Sequence, residues 1–130
     1  MASIRSGIGE DMEDRYLFKG KEKDSGKWLE WNAIAGIPHN VTILTDTICQ
    51  CTGLRDKNGK LIWENDIMVA HLDDDYPEDE TYIRILWHGS GFCSKEKGSE
   101  DMLQVDEFDQ EHFEVIGNIF DNPELLESEE

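Results

Sequence analysis

No arginine or lysine follows Lys97. The stretch from Ser99 to Glu130 holds twelve aspartates and glutamates and not one of the chain's 12 bases. Over all 130 residues, 30 acidic side chains outweigh those bases, for a formal charge of -18. Such a surface repels phosphate backbones, because nucleic-acid affinity comes mainly from Lys and Arg displacing counterions. It repels an anionic membrane face for the same reason. Direct nucleic-acid and membrane partners are therefore not expected; the field suits solubility or a basic protein partner.

Long apolar runs are missing too, so no transmembrane helix is expected. Met1 to Asp14 lacks the apolar stretch of a secretion signal. There are only three cysteines, an odd number. Together these point to a reducing cytoplasmic setting with free thiols. Cys49 and Cys51 are two apart, share a face on a strand and are poorly placed to bridge each other.

The motifs of catalysis and metal binding are scarce. His39, His71, His88 and His112 are scattered, with no His-x-x-x-His and no Cys-x-x-Cys. A zinc site from Cys49, Cys51, Cys93 and His88 would need distant segments to converge; core thiols and strand-surface imidazoles are the simpler expectation. Six carboxylates crowd the eight residues Asp73 to Glu80. Read as a calcium loop, that run would put Pro77 at its fifth position and lacks the turn glycine. His88-Gly89-Ser90-Gly91 lacks the Gly-x-Ser-x-Gly spacing of a nucleophile elbow and reads as a hairpin turn. The dispersed glycines have no Lys-Ser/Thr pair with which to cradle a phosphate. A glycosidase would need two carboxylates opposed across a sugar-sized cleft. The reading is of a non-enzyme with no cofactor and no metal.

What is present is a core. Hydrophobic residues make up 38% of the chain, with four Trp, three Tyr and five Phe. One domain of this length buries roughly two-thirds of its unfolded surface without disulfides or metal. Tyr16 to Lys21 and Lys27 to Ile34 flank Asp24-Ser25-Gly26, which predicts a β-hairpin. Val41 to Leu44 and Thr47 to Gln50 are β-branched and strand-like. Asp56-Lys57-Asn58-Gly59 has tight-turn chemistry, followed by Leu61-Ile62-Trp63 and the apolar run Ile67 to Ala70. Thr81 to Trp87 is the clearest strand, turning at Gly89-Ser90-Gly91 into Phe92-Cys93-Ser94. Met102 to Val105 and Phe113 to Phe120 are further strands, and Pro123 opens a brief helix into Leu125-Leu126. Short strands with Gly- and Asn-bearing turns, and no helix above about ten residues, predict a mainly β protein built as a small barrel.

Thr52-Gly53-Leu54-Arg55-Asp56-Lys57-Asn58-Gly59-Lys60, followed by Ile62-Trp63-Glu64-Asn65-Asp66-Ile67, resembles the central motif of YopX proteins. Val115-Ile116-Gly117-Asn118-Ile119-Phe120 with Asn122-Pro123-Glu124-Leu125-Leu126 resembles their C-terminal motif. Arg15 to Lys21 with Lys27 to Glu30 resembles their N-terminal hairpin. Asn65 stands where the family usually has Gly, and Asn also accepts a left-handed turn. The resemblance implies an SH3-type barrel over 52–126 with a smaller β-rich N-terminal subdomain over 15–51. A flexible arm over 1–14, with Met12 a candidate natural start, and an acidic tail over 127–130 complete the expected division. The resemblance also implies a phage or prophage origin and self-association. It implies no catalytic residues; Gly53, Gly59 and Gly117 would serve turns or close approaches, and Trp63 and Ile67 the core.

The expected function is a non-enzymatic interaction module that binds a protein partner or itself. Asp73, Asp74, Asp75, Glu78, Asp79 and Glu80, with Trp87 beside them, form the expected partner-binding surface, since interfaces favour aromatic anchors. An alternative is an acidic nucleic-acid mimic that occupies a host defence or nucleic-acid-binding protein. A weaker one is nucleic-acid contact through Arg15, Lys19, Lys21, Lys23 and Lys27, the first three lysines sharing a strand face by period two.

Overall fold

The computed structural model describes residues 14–71 and 79–127. The described strands form antiparallel sheets, and the chain divides into two compact units, Met1–Leu54 and Arg55–Glu130. In the first unit β1 (Leu17–Lys21) and β2 (Trp28–Asn32) make the expected hairpin, with Lys21 opposite Trp28 and Leu17 opposite Asn32. Its turn is tied by the Glu22 carboxylate, which accepts from the Ser25 hydroxyl at 2.6 Å and from the Ser25 amide. That hydroxyl is also the main reason the Glu22 pKa lies below its ordinary value. Gly26, at φ 71, takes the left-handed position that ends the turn.

β3 (Cys49–Arg55) pairs with β1 on the side away from β2, giving the order β2-β1-β3 within this unit. Cys49 and Cys51 do share a face, and both are buried as free thiols. Gly20 lets Ile43 approach the sheet, since a Cβ there would lie 2.6 Å from the Ile43 Cγ2. Val41 to Leu44 is not a strand; Ile43 makes an isolated bridge to Glu22, and a 3-10 turn at Thr45–Thr47 follows. The Thr47 hydroxyl, accepting from the Lys21 amide and donating to the Leu44 carbonyl, favours that turn over a regular ladder. Lys23 lies in the turn beyond β1, so the three-lysine strand face shrinks to Lys19 and Lys21. Their ammonium groups sit 4.6 and 5.4 Å from the centre of the Trp28 ring.

The second unit contains β4 (Leu61–Trp63) and a five-stranded antiparallel sheet of order β8-β7-β6-β5-β9. Its strands are β5 (Asp66–Ala70), β6 (Thr81–His88), β7 (Gly91–Glu96), β8 (Met102–Gln104) and β9 (Glu114–Asn118). All of β5 is buried, as expected of an inner strand covered on both faces. Ile62, Ile67, Met68 and Ile85 are wholly enclosed and form the centre of the core. Pairing of Ile67 with Gly117 but Met68 with Val115 leaves Ile116 as the extra residue of a bulge, which bends the sheet. His88 faces Gly91 across the β6–β7 turn, so His88-Gly89-Ser90-Gly91 is a hairpin loop.

Two turns explain the most patterned part of the sequence. At 56–60 the Asp56 carboxylate is buried yet satisfied: Oδ1 accepts from the Asn58 and Lys60 amides, and Oδ2 from the Val115 amide. Gly59 follows at φ 85. At 63–66 the buried Asp66 carboxylate accepts from the Trp63 amide at 2.7 Å. Asn65 adopts φ 74, the left-handed turn its amide side chain tolerates, and its Oδ1 accepts from Arg84.

One element has no counterpart in the sequence reading. Helix α1 (Glu107–His112) starts from a reciprocal cap: Asp106 accepts from the Asp109 amide, and Asp109 accepts from the Asp106 amide. β9 is correspondingly shorter than the expected strand from Phe113 to Phe120. The brief helix opened by Pro123 is a 3-10 turn, Pro123–Leu126.

Candidate functional site: an acidic groove beside an edge strand

β8 is the outermost strand of the second sheet, and all three of its residues are exposed. Strand alternation sets one face of the sheet. Ile83 lies opposite Glu96, Ile85 opposite Ser94, and Ser94 opposite Leu103, so these side chains share a side. A groove of about 340 Å³ opens on that side, between the sheet and α1. Its apolar lining is Ile83, Leu103, Phe108 and Phe113. Phe113 is buried, but Leu103 is 67% exposed and Phe108 is 49% exposed, stacked on His112 at 4.1 Å.

The remaining lining is polar and of one sign. Glu96 comes from the end of β7, Asp101 from the β7–β8 turn, Asp106 from the helix cap and Asp109 from the helix. No Lys, Arg or His lines the groove among the described residues. Burial pushes the Asp109 pKa above its ordinary value, and the charge of Asp106 adds to the rise. A raised native value means that the folded state holds the Asp109 proton more tightly than the unfolded chain does. Its contribution to stability is then present at low pH and lost as pH rises through the native value. Subtracting the pH–stability curve of Asp109→Asn from that of the wild type should expose this fall. It lies between the ordinary aspartate range and the raised native value. A difference that climbs with pH would contradict the assignment.

Of the expected partner surface, Asp79, Glu80 and Trp87 lie among the described residues. Asp73, Asp74, Asp75 and Glu78 lie outside the described residues. Asp79 and Glu80 are exposed just before β6, where Glu80 accepts from the Tyr82 hydroxyl at 2.7 Å and pairs with His71 at 3.5 Å. Trp87 is near the other end of β6, 51% exposed and edge-on to Phe92 at 5.0 Å. Seven steps of extended chain lead from Glu80 to Trp87, roughly 23 Å at the usual strand rise. Trp87 therefore belongs to the hairpin tip, away from Asp79 and Glu80. The groove carboxylates went unnoticed in the sequence because only the pairing of three strands gathers them. The three-residue spacing of Asp106 and Asp109, with Phe108 and His112 four apart, was the available signal for the cap and helix.

Cys93 is half-buried on β7, while Cys49 and Cys51 lie inside the first unit. No group of three or more His, Cys, Asp or Glu placed to hold a metal occurs among the described residues. No helix among them is long and apolar enough to cross a membrane.

Buried carboxylates that clamp backbone turns, a mainly β framework and an open groove define a small β-rich protein. The YopX protein family model matches residues 10–127, and the chain belongs to that family. No curated protein matches it. Among solved structures it is similar to protein EF1440 from Enterococcus faecalis, at 24% identity and a TM-score of 0.54. That likeness covers 85% of this chain and 96% of the other, and it concerns the fold.

Proposed function

We propose that this protein is a non-catalytic interaction module of phage or prophage origin, acting in the cytoplasm on protein partners and on itself. The observation that carries this reading is the set of large apolar side chains left open on the second unit. Trp87 is 51%, Leu103 67% and Phe108 49% exposed, although the same unit buries Ile62, Trp63 and Phe113. Exposed aromatics at a hairpin tip are the kind of anchor that interfaces use. The antiparallel five-stranded sheet and its bulge at Ile67/Met68 support closure as an SH3-type barrel. Self-association is assigned to the Trp87 tip, because pairing through the acidic groove would set like charges together. Light scattering over a micromolar concentration series should give a mass above the 15.0 kDa of one chain, falling back to it in Trp87→Ala. A strict monomer at every concentration would remove the self-association.

The converging carboxylates of the groove favour a second reading, an acidic mimic that occupies a nucleic-acid-binding protein of the host. Competition decides it: a mimic is displaced from its partner by duplex or single-stranded nucleic acid, and persistence of the complex would end this reading.

A further inference from the structure

We propose that the groove between α1 and the β6–β7–β8 face docks an extended, basic segment of a partner protein. Its apolar side chains would pack on Leu103 and Phe108, and its Lys or Arg side chains would meet Glu96, Asp101 and Asp109. This rests on the interaction-module reading and names the partner class for one surface of it.

Shape comes first. A cavity of about 340 Å³ lies at the small end of the range for ligand sites, which run from roughly 300 to 1,000 Å³. It has room for a few side chains and none for a folded element. Beside it runs β8, whose three exposed residues pair with β7 on one side only among the described strands. An open sheet edge next to a lined cleft is the geometry by which extended peptides add to sheets. Main-chain hydrogen bonds supply affinity there, and alternate side chains enter the cleft.

Charge then selects the occupant. The four groove carboxylates come from β7, the following turn, the cap and the helix, and none is in an ion pair among the described residues. Elsewhere in the unit, carboxylates do find cations, as Glu114 does with Lys57 at 3.8 Å. Like charges around an apolar floor oppose one another until a cation arrives; the Asp109 pKa is raised mainly by burial, with the Asp106 charge adding to it. A phosphate-bearing ligand is excluded by sign. A second copy of a chain with net charge -18 is a poor occupant.

The test uses the full chain, isotopically labelled, titrated with a synthetic peptide of alternating lysine and valine and, separately, with oligolysine and a glutamate–valine peptide. The lysine–valine peptide should shift the amides of 102–104 and 107–112 and bind more tightly than oligolysine. The glutamate–valine peptide should not bind. Reversal of two exposed charges, Glu96→Lys with Asp101→Lys, should weaken binding roughly tenfold at low salt, and Leu103→Ser should weaken it severalfold. If the double variant unfolds, Asp101→Asn and Leu103→Ser carry the same comparison. Equal affinity for oligolysine, shifts scattered over all acidic surfaces, or variants that bind as wild type would overturn the proposal. So would concentration-dependent shifts at the same amides without peptide, which would mean that a second copy fills the groove. The Trp87→Ala mass measurement is independent of every one of these outcomes.

Discussion

Asp56→Ala should cost about 4 kcal/mol, on the scale of charge-assisted hydrogen bonds at roughly 1.5–3 kcal/mol each. The carboxylate is only 6% exposed and accepts three backbone N–H groups, two within its own turn and one from Val115 in β9. Alanine removes all three acceptors and supplies no replacement, and the shielded donors lose partners that water cannot easily restore. Against a total stability of about 5–15 kcal/mol for a domain, the loss is a large fraction. Asp56→Asn keeps one accepting oxygen, so either the turn pair or the Val115 contact survives, and about half the loss is expected. Urea unfolding of the two variants measures the difference. Equal, small shifts of the midpoint for both would show that the carboxylate is not the clamp described.

Gly117→Ala should be the second most damaging of the changes considered, at about 1–3 kcal/mol for forced overpacking. A Cβ on Gly117 would run into the side-chain amide of Asn122, with the Asn122 Cγ only 2.6 Å away. Asn122 cannot give way freely, since its Oδ1 accepts from the Asn118 amide. Asn118 in turn accepts from the Phe120 and Asp121 amides, so displacing one asparagine disturbs the turn after β9. The reason for glycine here is close approach, because Gly117 is not among the glycines at positive φ. Pairing the substitution with Asn122→Gly should recover most of the loss by opening the space. A double variant as unstable as Gly117→Ala alone would contradict the collision.

Turns and inner strands were legible because their chemistry is local. Asp56-Lys57-Asn58-Gly59 and the left-handed Asn65 can each be read from residues that touch one another in sequence. The buried strand at 66–70 follows from an unbroken apolar run. Val41 to Leu44 misled because β-branching marks a fit to a pleated surface and not a partner; with a threonine hydroxyl competing for the backbone nearby, the chain turned instead. Helix α1 was missed because its six residues show no apolar stripe of useful length, and its start is fixed by two aspartates that read as mere charge. The candidate groove was the least visible of all. Glu96, Asp101, Asp106 and Asp109 are widely spaced acidic residues until Ser94 is known to face both Ile85 and Leu103.

In the proposed reading, the turn motifs of this chain build its fold while the open groove residues are left for a partner. Paired urea unfolding of Asp56→Ala and of the double variant Leu103→Ser, Phe108→Ser tests that division directly. The groove variant should unfold within about 0.5 kcal/mol of the wild type, as surface substitutions do, with Asp56→Ala far below both. A groove variant as unstable as Asp56→Ala would make Leu103 and Phe108 part of the core and contradict the claim.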